Sequence, residues 1–475
     1  MSGVASTDYS TDAALSNQSQ NINPFVTPGI IRATAAAVDK SSGIGSHEII
    51  ASSVYSPSTT YARIAVASDK IYGVAAAGTL TDLSLSMSKT YSFGVTDVVA
   101  FDSTSHSLGS GVASNFISST DNVAMIYEST GTPTIDETWF TATLSGSNTL
   151  VSTVPHPMVV FNGLLWIGNG SNLVSVTTSG VVVPTALVLE TTDVIQALHI
   201  DPVTGYMMVS ATRFSQNHST SSYIYIFDAF STLPRRIIPV IDDKITGFHS
   251  VNGTVFVGCA NRLAVWNGNG ITYLRTLKNA SASTNADLLY KHHFASYGNI
   301  LFYVDGATLM AYGEPVGLQR KGFFPICQNP ADTSHLAAIT LLSTGVIGFG
   351  WITSSTPKWY AVDITSASAA TSGARTSGII YFNNVFTPRP IFIRRLRTIT
   401  SGVTTTAGLG GVTIYNQEQT ARTPAVSTFI VASGTKYMFD FEFSEYKVQA
   451  LQPKITIDTQ GFGIARVFIY YDVAE

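Results

Sequence analysis

Four stretches of the chain repeat one order of positions: an apolar run, a turn glycine, a second apolar run, a small-residue turn and a further strand-like run. They read VVFNGLLWIGNGSNLVSV from Val159, FHSVNGTVFVGCANRLAVW from Phe248, FASYGNILFYVDGATLMAY from Phe294 and ITLLSTGVIGFGWI from Ile339. Their turn glycines, Gly163, Gly253, Gly298 and Gly345, lie 90, 45 and 47 residues apart, a unit of about 45 with one copy skipped. The skipped copy is present in weaker form as IDPVTGYMMVSA, whose Gly205 falls 42 residues after Gly163 and 48 before Gly253. A unit of that length made only of strands and hairpins predicts a β-propeller blade of four antiparallel strands. One such sheet has two faces to bury, and stacking blades around an axis buries both while leaving only short edges exposed.

Upstream, VASDKIYGVAAAGTLTDLSL around Asp69 has the same order, and NVAMIYE from Asn122 is expected to supply an inner strand for a poorly matched blade. This predicts seven blades between Pro57 and Ile364, with six as the alternative. The ring is expected to close by borrowing a strand from the opposite end of the repeat. Residues 1–56 read as an extended arm. Within it, NINPFVTPGIIR has Pro24 and Pro28 imposing extended and turn geometry, and Phe25, Val26 and Ile30 as apolar anchors against the propeller or a neighbouring subunit. Residues 365–377 are a small-residue linker.

From 378 to 475 the pattern changes to long alternating runs: YFNNVF, PIFIRRLRTI, GVTIYN, TKYMFDFEF, PKITIDT and ARVFIYYDV. In TKYMFDFEF the aromatics Tyr437, Phe439, Phe441 and Phe443 share one face and Asp440 and Glu442 the other, the period of a strand with one dry and one wet side. Strands of this kind over about a hundred residues predict a separate jelly-roll-like β-sandwich with its own core, an attachment or oligomerisation domain.

Composition agrees with an all-β fold. There are 38 glycines and 21 tyrosines, and Lys, Arg, Asp and Glu make only 12% of the chain, against roughly 25% in an average soluble domain. Solubility then has to come from Ser, Thr, Asn and Gln, as on surfaces outside a cell or packed in large assemblies. Two cysteines, Cys259 and Cys327, cannot frame a chain this long with disulfides, and Cys259 falls in an apolar run that predicts a buried free thiol. The N-terminal MSGVASTDYSTDAALSNQSQN has neither the basic start nor the apolar stretch of a signal peptide, and no run reaches the length of a membrane span.

The search for chemistry is thin. No phosphate-cradling glycine loop and no nucleophile elbow is present. His292 and His293 are adjacent, which in a strand sends them to opposite faces, and no neighbouring ligand completes a metal spacing. Asp136 with Glu137, and Asp242 with Asp243, are carboxylate pairs that would suit a glycosidase only if they converged in a channel; as sequence neighbours they read as turn carboxylates. Trp166, Phe256 and Phe302 recur at nearly the same point of their units, where packing between blades explains them more simply than a sugar-binding ring. A net charge of −4 and the lack of a basic stripe oppose nucleic-acid binding, and Arg389 to Arg397 is a short cluster suited to a carboxylate neighbour. The expectation is a non-enzymatic protein with no catalytic, cofactor or metal site.

The leader NINPFVTPGIIR, the glycine- and serine-rich propeller and the C-terminal sandwich together resemble the structural proteins of tailed bacteriophage virions, in particular propeller-bearing components of the tail, its tip or its fibres. The resemblance covers the whole chain as an architecture and carries no signature residues. It implies localisation in a virion, a propeller acting as a rigid spacer or adhesion platform, a homo-oligomer, other virion proteins as partners, and a cell-surface glycan as a further partner, without nucleic acid or membrane insertion. The alternative is an extracellular propeller that binds or cleaves carbohydrate.

Overall fold

A computed structural model of the chain describes residues 4–10, 22–27, 30–33, 37–101, 113–140, 150–214, 220–240, 244–277, 289–314, 321–328, 335–365, 378–381, 385–402, 408–416, 421–431, 436–457 and 462–473, apart from single positions and short turns inside those spans. The linker at 366–377 lies outside them, as do Pro28, Asp242 and Asp243. The chain divides into two compact units: Asp39–Ala307 with Ala331–Ala361, and Met1–Val38 with Thr308–Pro330 and Val362–Glu475.

Among the described residues there are seven four-stranded antiparallel sheets, the larger of the two expected blade numbers. Their innermost strands are Ile49–Val54, Val98–Ala100, Met158–Phe161, Asp193–Ile200, Ile245–Val251, Phe294–Tyr297 and His335–Ser343, here belonging to blades 1 to 7. Each innermost strand touches the next and the seventh touches the first, so they close a ring around a central channel. The turn glycines mark the hairpin between the first and second strand. Asn162 and Gly163 (φ 51° and 73°), like Asn252 and Gly253 (φ 45° and 78°), hold two successive left-handed residues, as a tight hairpin turn requires.

Three expectations change. The propeller begins before residue 57, because Ile49–Val54 is the innermost strand of blade 1 and Val38–Asp39 supplies the outermost strand of blade 7. Borrowing that strand from the N-terminal side closes the ring, and Lys40 N–H donates to Trp359 O at 2.8 Å just beyond it. The segment Val123–Ser129 is the third strand of blade 2, not an inner one. The run around Asp69 is likewise shifted one place outward, forming strands two to four of blade 1.

Cores lie between neighbouring blades. Phe161, Trp166 and Leu173 of blade 3 pack on Leu198, Val209 and Phe227 of blade 4, with the Trp166 ring edge-on to Phe227 at 5.6 Å. Between blades 2 and 3 the cluster holds Phe116, Met125, Trp139, Met158, Leu165 and Ile167. Cys259 is buried in the cluster joining blades 4 and 5.

In the second unit ten strands form one hydrogen-bonded sheet, in the order Ile22–Thr27, Ile30–Ala33, Phe462–Val473, Val385–Gly402, Lys436–Ile457, Gly408–Asn416 and Ala421–Arg422, with three short strands branching from it. The leader supplies strands to this sheet. Val4–Ser10 pairs with Phe462–Val473 along its whole length. Phe25 is buried, its ring edge-on to Phe324 at 5.3 Å. Several runs separate in the sequence fuse into strands of 18 and 22 residues, Val385–Gly402 and Lys436–Ile457. Register shifts between Phe386 and Ile391 carry the first strand past Pro388 and Pro390, which lack the N–H a ladder needs. The alternation in the second holds: Phe441 and Phe443 are buried while Asp440 and Glu442 are exposed.

Trp166 is 2% exposed and donates from Nε1 to Phe161 O at 3.0 Å. Trp166→Ala removes the aromatic from between two blades and should cost about 3–5 kcal/mol. Urea unfolding monitored by circular dichroism measures it.

Candidate functional site in the central channel

Because every blade starts at its innermost strand, the residues just before those strands gather at one end of the channel. The segment entering blade 6 forms a short 3-10 turn, Lys291–His293, at that end. Its seat is made by absent side chains: a Cβ on Gly258 or on Gly247 would collide with Leu289 O. Thr246 Oγ1 also donates to Leu289 O at 3.1 Å. So held, Lys291 and His292 reach across to Asp97, which precedes blade 2.

Asp97 is 5% exposed and its carboxylate is fully engaged. Oδ1 accepts from Val98 N–H (2.7 Å), Lys291 Nζ (2.9 Å) and His292 Nε2 (2.8 Å). Oδ2 accepts from Met158 N–H (2.8 Å) and Lys291 Nζ (3.0 Å). Lys291 Nζ donates again to Met158 O at 3.0 Å, and Ser52 N–H donates to His292 Nδ1 at 3.4 Å. Residues of blades 1, 2, 3 and 6 are thus tied into one network. Burial would raise the Asp97 pKa, but the Lys291 charge and the hydrogen bonds from His292 and Met158 outweigh it and hold the carboxyl far below its usual range.

On one side of this bridge is a space of about 30 Å³ lined by Thr96, Pro155, Gln196 and Thr246, the size of a single water. On the other is a channel cavity of about 460 Å³. Its polar lining comes from Ser52, Ser53, Arg63, His249, Ser296 and Thr340, and its apolar lining includes Val99, Val160, Phe294 and Ile339. His249 stacks on Phe294 with ring centroids 6.0 Å apart and shares a hydrogen bond of 3.0 Å with Ser296 Oγ. One blade earlier, His199 stacks on Phe248 at the same spacing and bonds Ser250 Oγ. Burial pushes His249 down to about 4, and burial, with the His249 and Lys291 charges, pushes His199 down to about 3, so both rings are neutral at pH 7.

Arg63 begins the second strand of blade 1, opposite Val54 at the end of the innermost strand. Its Nε–H donates to Leu341 O in blade 7 at 2.7 Å. Burial lowers its pKa, and no carboxylate stands beside it among the described residues.

The residues singled out in the sequence are mostly elsewhere. His292 and His293 lie on the 3-10 turn and not in a strand; both are buried. Glu137 accepts from the backbone N–H groups of Ser88 and Lys89, and Asp136 caps Thr138, so this pair serves turns. Trp166, Phe256 and Phe302 are buried. Arg394 pairs with Asp472 at 2.6 Å, and Arg397 with Asp440 at 2.7 Å, inside the C-terminal sheet. Among the described residues no group of three or more His, Cys, Asp or Glu is arranged to hold a metal, and no helix is long and apolar enough to cross a membrane. Asp97, Lys291, Arg63 and His249 carry no local motif. The one usable signal was the parallel between FHS at Phe248 and FAS at Phe294, which sets a Ser two places after a Phe in successive blades.

No protein-family model matches the chain, and no curated protein matches it. Solved structures similar to it include a Bacillus subtilis glycoside hydrolase family 43 arabinoxylan arabinofuranohydrolase (13% identity, 93% of this chain and 99% of that one, TM-score 0.27). A Trypanosoma rangeli sialidase matches at 10% identity over 99% of this chain and 96% of that one, TM-score 0.32. A chain of a mitotic checkpoint complex matches at 11% identity over 70% and 93%, TM-score 0.42. The expectation of a non-enzymatic protein is corrected by this set: it includes glycoside-acting enzymes, and the architecture gives no ground for excluding catalysis.

Asp97→Asn strands Lys291 without its counter-charge and should cost about 3 kcal/mol at pH 7, the low end for a broken buried pair because Lys291 is 35% exposed. A depressed carboxyl pKa adds stability that is complete above the ordinary value of 3.8 and is lost as pH falls through the folded value. The gap between wild type and variant should therefore narrow below pH 4 in denaturant titrations.

Proposed function

We propose that the propeller binds a carbohydrate in its central channel. The observation that carries this reading is the cavity of about 460 Å³ with a mixed lining, a volume in the range of small-molecule sites. Ser52, Ser53, Ser296, Thr340 and the neutral His249 offer hydrogen-bond donors and acceptors for hydroxyls. Val99, Val160, Ile339 and Phe294 offer the apolar surface that the faces of a sugar ring need. Among the described residues Asp97 is the one carboxylate lining the two spaces, and its oxygens are already taken, so a bound sugar meets the hydroxyls and His249.

The virion setting read from the sequence, with its homo-oligomer and neighbouring particle proteins, enters this proposal as the place where a glycan-binding propeller would meet a cell surface.

Ser53 is half-buried and lines the cavity as a polar side chain, so Ser53→Trp should fill it while leaving the blade cores alone. Screening on a glycan array followed by calorimetry should find a ligand for the wild type, and the variant should bind it about tenfold or more weakly with an unchanged melting temperature. A wild type that binds no glycan, or a variant that binds as well, overturns the reading.

A further inference from the structure

We propose that the sugar held in the channel is an acidic one and that Arg63 receives its carboxylate through the two terminal amino groups of the guanidinium. The inference rests on the channel being a sugar site.

It follows from an inventory of donors and charges. Lys291 has three N–H donors, and they are directed to Asp97 Oδ1, Asp97 Oδ2 and Met158 O. Its charge is answered by Asp97. His292 bonds Asp97 through Nε2 and receives the Ser52 N–H on Nδ1, so both of its ring nitrogens are engaged. His249 shares its Nε2 with Ser296. Arg63 differs from all of these. One of its five N–H donors goes to Leu341 O, and the four on the terminal nitrogens meet no acceptor among the described residues. Among the described residues no carboxylate lines the cavity.

A planar fork of N–H groups on a residue that lines a space the size of a sugar matches a carboxylate in both geometry and charge, and a neutral hydroxyl in neither. The place in the channel gives an orientation as well. Arg63 lies opposite the last residue of the innermost strand of blade 1, whereas Lys291 precedes the innermost strand of blade 6. The acid group is therefore set at the Arg63 end, beside Thr340, with the hydroxyls toward His249 and Ser296.

The test uses the full chain and two matched pairs of probes, glucuronate with glucose and galacturonate with galactose, titrated by calorimetry at low ionic strength. In at least one pair the acid should bind about tenfold or more tightly than the neutral sugar. That preference should shrink as sodium chloride is added. Arg63→Gln should bring the ratio close to one. Arg63→Lys keeps the charge without the fork and should retain part of the preference, and it serves as the test should the glutamine variant fail to fold. Equal affinities for acid and neutral sugar in the wild type, or a preference that survives Arg63→Gln, overturns the inference while leaving the channel as a sugar site. Failure of both members of both pairs to bind overturns the inference together with the reading beneath it.

Discussion

The carboxylate of Asp97 stands where four blades of the ring can be reached at once, and the architecture of the channel depends on how it is satisfied. A buried carboxylate is expensive unless donors surround it. Here the donors come from Val98 beside it, from Met158 in the next blade, and from Lys291 and His292 across the channel. The cross-channel donors are in place because Gly247 and Gly258 lack side chains where the backbone of Leu289 lies against them. Two consequences follow. One end of the channel is narrowed to a space for a single water, and the Lys291 charge is paired with Asp97, so among the described residues Arg63 is left as the one cation with open donors beside the larger cavity.

The rest of the propeller keeps that cavity polar. Large aromatics such as Trp139, Trp166, Phe227 and Trp359 are spent between blades, where each sheet needs a covered face. The innermost strands are then free to turn polar side chains inward, and His249, which lines the cavity, is stacked on Phe294 of the next blade and bonded to its Ser296. The same pairing that holds neighbouring blades in register thus also lines the channel with neutral donors and acceptors.

How much of this was legible beforehand follows from the range of each interaction. Hairpin chemistry is local: a turn glycine with its flanking apolar runs is visible at Gly163, Gly253, Gly298 and Gly345, and the blade repeat could be counted from them. The alternation around Phe441 is equally local. Closure of the ring by Val38–Asp39 and addition of Val4–Ser10 to the final strand are pairings between distant ends, set by backbone groups that leave no mark in composition. The site is harder still. Asp97 and His292 are 195 residues apart and meet only because the ring brings blade 6 across from blade 2. His292 looked like an ordinary strand histidine because the 3-10 turn that aims it is set by glycines in another blade.

The central claim is that the channel takes a sugar with its acid group on Arg63. An experimental structure of the full chain soaked with glucuronate and galacturonate tests it directly. The account predicts density for one of these sugars in the cavity beside Ser296 and Thr340, with its carboxylate within hydrogen-bonding distance of both terminal nitrogens of Arg63. Density confined to the outer surface, or a channel sugar whose carboxylate points away from Arg63, would contradict it.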